Sequence, residues 1–85
     1  MRDRGEEDAL GLVALGTAIR TRRIEAGRRE SELAARARIE PSALAEIENG
    51  RQEPTWGELR RIAQGLDEPL QSLLELAERF EQGTS

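Results

Sequence analysis

Between Glu30 and Gly50 the chain reads ESELAARARIEPSALAEIENG, and the spacing of its apolar residues leaves few ways to fold. Leu33, Ala34 and Ala37 fall at i, i+1 and i+4, on one face of a short helix. Leu44 and Ile47 fall three apart on a second, and Ile39 lies in the break between them. Two helices this short can bury so little alone that they must cross closely, which is the pattern of a helix-turn-helix.

A steep crossing needs a small side chain at the contact, and Ala34 supplies it. Pro41 suits the first position of a helix, where its missing N–H would be unpaired anyway. Asn49-Gly50 is a stop signal. The first helix of the pair is therefore expected over 30–37 and the second over 41–48.

At 85 residues the chain forms one domain with a small core. It has no cysteine and no histidine, so no disulfide, thiolate nucleophile or cysteine-based zinc site is possible, and the commonest metal ligand and general base is missing. No apolar run approaches the ~18 residues of a membrane span, and MRDRGEED has neither the charge nor the apolar core of a signal peptide. A soluble, cytoplasmic protein is expected, with no membrane partner. Nothing alternates like a strand, so the fold class is all-α.

The formal net charge is −4, but it is unevenly spread. Residues 1–16 carry two Arg against four acids, 17–51 eight Arg against six, and 52–85 three Arg against seven. The helix-turn-helix lies in the only positive segment. Every basic residue is Arg, whose planar fork suits bidentate contacts to phosphate or carboxylate.

Residues 1–8 are charged and lack apolar periodicity, and are expected to form a mobile arm ahead of a single domain over 9–82. Leu10, Leu12, Val13, Leu15, Ile19 and Ile24 predict a first helix from Ala9 that stops at Gly27. Thr55-Trp56-Gly57-Glu58 reads as a capping box opening a fourth helix with Leu59, Ile62, Ala63 and Leu66 as its buried stripe. Trp56 is expected as a core plug. A fifth helix is expected over 69–82, with more apolar surface than a small core can cover. Its stripe of Leu70, Leu74, Ala77 and Phe80 either packs back on its own domain or forms a dimer interface.

The segments LxxRRxxxG, ELAARARI, LAEIENG, EPT and LRRIAQGL together resemble the phage Cro- and repressor-like (XRE-type) helix-turn-helix family of transcriptional regulators, over about residues 15–77. The resemblance implies a compact five-helix, lambda-repressor-like domain that binds double-stranded DNA at a palindromic operator as a homodimer. It implies that Glu40, Pro41, Ser42, Ala45 and Glu46 face the major groove. Arg20, Glu30 at the start of the second helix, Asn49, Gly50 and Arg51 would then approach phosphates. Arg23 and Glu48 match a structural salt bridge between the first and third helices.

The chain departs from the family's usual pattern in an acidic direction. Glu30 stands where Gln is usual, and Glu40 where Ser or Thr caps the recognition helix. Arg28 and Glu68 replace residues that are more often apolar. Arg38 replaces the turn glycine, and a positive φ there would cost on the order of 1 kcal/mol. Two functions follow. The first is a sequence-specific regulator, a repressor, associated with the nucleoid when bound to DNA. The alternative is a protein-binding module, antitoxin-like or regulator-binding, whose acidic face meets a basic protein partner. No enzyme is expected, because Glu46 and Glu48 lie two apart and point to different sides of a helix, without a nucleophile or phosphate loop beside them. Nor is any cofactor, metal or small-molecule substrate.

Overall fold

The computed structural model describes residues 4–83, which form five helices and no strand: α1 (Arg4–Glu25), α2 (Glu30–Ala37), α3 (Pro41–Glu48), α4 (Trp56–Gly65) and α5 (Leu70–Gly83). The helix-turn-helix pair, α2 and α3, occupies the ranges its apolar spacing predicts. The first helix does not: α1 begins at Arg4 rather than Ala9, so residues 4–8 of the expected arm are helical. Residues 1–3 of that arm lie outside the described residues.

Helix boundaries follow local chemistry. Gly27, at φ 69°, ends α1, with its amide on the Ile24 carbonyl and that of Arg28 on the Arg23 carbonyl. The turn between α2 and α3 runs through Arg38 at φ 55° and ψ 48°, a left-handed conformation that usually falls to glycine. Its amide reaches the Ala35 carbonyl and that of Ile39 the Ala34 carbonyl, closing the helix end. At α4 the capping box is complete: the Glu58 amide donates to the Thr55 hydroxyl at 3.0 Å, and the Thr55 amide to the Glu58 carboxylate at 2.8 Å. After α4 the left-handed position falls to Asp67, at φ 58°, one of the few non-glycine residues that tolerate it.

The core is built on Ile19, Leu33, Leu44, Ile47, Ile62 and Leu73, all fully buried. Ala18, Ala34, Ala37 and Ala63 fill the closest crossings. Trp56 is not a core plug: it is 64% exposed, while Pro54 just before it is buried. Trp56 borders an open depression with Arg60, Gln64, Pro69 and Leu70 instead. Val13 and Ile24 are also exposed, because α1 turns its small residues Ala14 and Ala18 inward with Ile19. Helix α5 packs back on its own domain, chiefly against α1. Leu73 is fully buried, and Leu70, Leu74, Ala77 and Phe80 lie half-buried against the core.

Two contacts hold α3 under α1. The first is steric. A Cβ on Gly16 would lie 2.5 Å from the carbonyl oxygens of both Ile47 and Glu48, so α1 rests directly on the last carbonyls of α3. The second is ionic. The Glu48 side chain is fully buried, and the Arg23 guanidinium grips it with Nε at 2.8 Å and Nη2 at 3.0 Å. Arg23 Nη1 also donates to the Arg28 carbonyl at 3.0 Å. The hydrogen bond to Glu48 raises the Arg23 pKa above the ordinary arginine value, with the charges of Glu48 and Glu30 adding to it and burial opposing. Arg23 is therefore a permanent cation.

Arg28 and Glu68, which replace apolar types, each face a residue of opposite charge. Arg28 Nη2 meets Asp67 Oδ2 at 2.9 Å, and Arg22 Nε lies 3.5 Å from Glu68 Oε2, so both tie the α1–α2 loop region to the α4–α5 turn. Across the core, Arg61 Nε donates to the Ala37 carbonyl at 2.7 Å, closing the end of α2 from α4.

Removing the Glu48 carboxylate leaves a partly buried arginine uncompensated, and Glu48→Ala is expected to lower stability by about 3 kcal/mol in urea titration. A loss as small as that of a surface pair would contradict the clamp. Gly16→Ala is expected to cost about 1–3 kcal/mol in the same measurement, although alanine is the better helix former. A neutral or stabilising result would mean that α1 does not sit on the α3 carbonyls.

Candidate nucleic-acid interface

Helix α3 has two sides with opposite fates. Leu44, Ile47 and Glu48 are buried, and their side of the helix is spent on the core and the clamp. Ser42 is exposed, and Ala45 and Glu46 are half-exposed; Glu40 and Pro41 are exposed at the amino end. Glu40, Ser42, Ala45, Glu46, Asn49 and Arg51 border one open depression along this outer side. Four of the five residues expected to read bases thus border one depression, and the fifth, Pro41, is exposed at the amino end of the helix. Glu40 occupies the capping position of α3 but makes no side-chain cap bond, which leaves its carboxylate free to project.

The residues expected at phosphates are arranged less simply. Arg20 and Asn49 are brought together: Arg20 Nη2 donates to Asn49 Oδ1 at 2.6 Å, and Arg20 Nε lies 3.4 Å from Glu48 Oε1. The guanidinium is oriented by these contacts, and the Arg20 side chain as a whole remains 45% exposed, with donors to spare. Gly50 has no side chain to offer, and its amide is already donated to the Ile47 carbonyl. Arg51 is well exposed, yet its Nη1 lies 3.9 Å from Glu46 Oε2, so the cation and the groove-facing carboxylate partly neutralise each other. Glu30 opens α2, half-buried, close enough for its charge to act on Arg23.

Sequence reasoning missed two features that position this face. Gly16 carried a signal, as a glycine inside a long helix is costly unless something approaches closely. Arg61 carried none, since a carbonyl partner at the end of another helix leaves no trace in spacing. Among the described residues no cluster of histidine, cysteine or acids is set to hold a metal, and no helix is long and apolar enough to cross a membrane.

The chain matches a helix-turn-helix domain family over residues 14–77. No curated protein matches it. A crystal structure of the clp gene regulator ClgR from Corynebacterium glutamicum is similar with a TM-score of 0.85 at 30% identity, over 87% of this chain and 79% of that one. A second crystal structure of the clp gene regulator ClgR from C. glutamicum matches with a TM-score of 0.76 at 32% identity, over 80% and 88%. With residues 14–77 matched and the fold shared with a gene regulator, this chain belongs to the helix-turn-helix domain family of transcriptional regulators.

Proposed function

We propose that the protein is a sequence-specific DNA-binding repressor that acts as a homodimer on a palindromic operator. The observation that carries this reading is the outer face of α3, where Ser42, Ala45 and Glu46 project from a helix clamped on its opposite side by Arg23 and Glu48. A recognition helix must be rigid relative to the body that grips the backbone, because phosphate contacts set the register in which bases are read. Ser42 can donate or accept, Glu46 can accept from the cytosine amino group, and Pro41 and Ala45 offer apolar contact to a thymine methyl. The similarity to ClgR, described as a gene regulator, supports the same role here.

Pairing through α5 brings two such faces to successive turns of a duplex. Between α1 and α5 runs a mainly apolar groove bordered by Gly11, Ala14, Leu15, Leu74 and Ala77, with Glu78 and Glu81 at its rim. The half-buried Leu70, Leu74, Ala77 and Phe80 retain apolar surface for a second copy.

The acidic face favours a second reading, in which Glu40 and Glu46 dock a basic protein and DNA is bound weakly or not at all. Selection of duplexes from a random pool separates the two. Enrichment of a symmetric sequence is expected, and Ser42→Ala or Glu46→Ala should shift its preferred bases, with about 1–3 kcal/mol of discrimination at stake per base contact. A failure to enrich any duplex, with a basic protein recovered stoichiometrically from lysate, would replace the first reading by the second. For the dimer, light scattering should show a mass that falls to the monomer value in Leu74→Glu. A wild-type protein that is already monomeric at high concentration excludes this interface.

A further inference from the structure

Of the described arginines, Arg20, Arg22, Arg23, Arg28, Arg36 and Arg51 each have a carboxylate within 4.0 Å. The guanidinium groups of Arg29, Arg38, Arg60, Arg61 and Arg79 have none among the described residues, the Glu32 carboxylate accepting from the Arg29 backbone amide instead. Three of these five, Arg38, Arg60 and Arg61, meet in one shallow depression of about 270 Å³, completed by Gly57 and Gln64 and without an acid in its lining. Arg61 is anchored there by its bond to the Ala37 carbonyl, which uses Nε and leaves the rest of the fork.

A second observation concerns Arg38 itself. It holds the left-handed turn position at φ 55°, where glycine would be unstrained, and it thereby adds a cation to the depression. A shallow cup of this size, lined by guanidinium forks and one amide, fits a tetrahedral oxyanion with bidentate acceptors.

Its place in the fold points to the source of that anion. Arg38 stands two residues before Glu40, the first residue of the α3 face, and two residues span at most about 7 Å. A duplex read by α3 therefore passes within the reach of an arginine side chain. On that face Glu40 and Glu46 repel phosphates, while Arg20 and Arg51 lean on Asn49, Glu48 and Glu46. Three cations without a carboxylate partner among the described residues lie beside it, in the cup.

Resting on the DNA-binding reading above, we infer that Arg38, Arg60 and Arg61 form a phosphate site for the DNA backbone flanking the bases read by α3. The test is the salt dependence of binding to a fluorescent random-sequence duplex by the full chain. Each phosphate neutralised contributes about 0.9 to the slope of log K against log salt, so Arg38→Gly with Arg60→Gln should lower the slope by roughly two. Arg38→Gly puts the residue best suited to a left-handed turn at that place, so the thermal midpoint of the double variant should stay within a few degrees of wild type. Inorganic phosphate should shift the Arg61 side-chain NMR signals of the wild type, and that shift should be lost in the double variant.

Wild-type binding with an unchanged slope in the double variant overturns the site and leaves the DNA-binding reading standing. A wild type that binds no duplex at any salt overturns both. Capture of a poly-glutamate peptide by wild type, lost in the double variant while the DNA slope is unchanged, assigns the cup to acidic protein and overturns it as a DNA contact.

Discussion

The buried Glu48 carboxylate, gripped by Arg23 and touched by Arg20, is the interaction on which the rest depends. Helix α3 is only eight residues long, too short to hold its shape in water without tertiary support. Its direction is set by α1, which lays two arginines against the negative end of the α3 dipole and rests Gly16 on its last carbonyls. Burying a carboxylate is costly, and the pair is more a device for orientation than a large source of net stability. Once made, it admits one register of α1 on α3.

That arrangement has an electrostatic consequence. The positive balance of residues 17–51 suggested a surface ready for phosphates, yet much of that charge is used inside the protein. Arg23 is spent on Glu48, Arg22 and Arg28 on Glu68 and Asp67, and Arg20 is shared between the clamp and Asn49. An outer face bearing Glu40 and Glu46 then depends on specific base contacts and on cations placed beside it. The three arginines that line one depression between the α2–α3 turn and α4 have no acidic partner among the described residues.

The acidic departures from the family pattern divide into two kinds. Arg28 and Glu68, each replacing an apolar type, are matched by Asp67 and Arg22 across the same seam, where exposed or partly exposed pairs contribute at most about 1 kcal/mol each. They preserve the joint between the α1–α2 loop and the α4–α5 turn by another chemistry. Glu40 has no such answering partner, and Glu46 has only the distant Arg51, so these two act on whatever meets the face.

What depended on neighbours in the chain was legible from the residues alone. The ranges of α2 and α3, the Thr55–Glu58 capping box and the stops at Gly27 and Gly50 arise from interactions within a few residues, and spacing encodes them. The Arg23–Glu48 pair was reachable only through family resemblance, since 25 residues separate the partners. Tertiary structure alone decided which apolar residues found cover. Trp56 has the right helical phase but stays exposed, and α1 buries alanines where larger side chains were available. It also decided which arginines are consumed and which are left together, because charge pairing depends on distance in space, and a linear count of charges carries no distances.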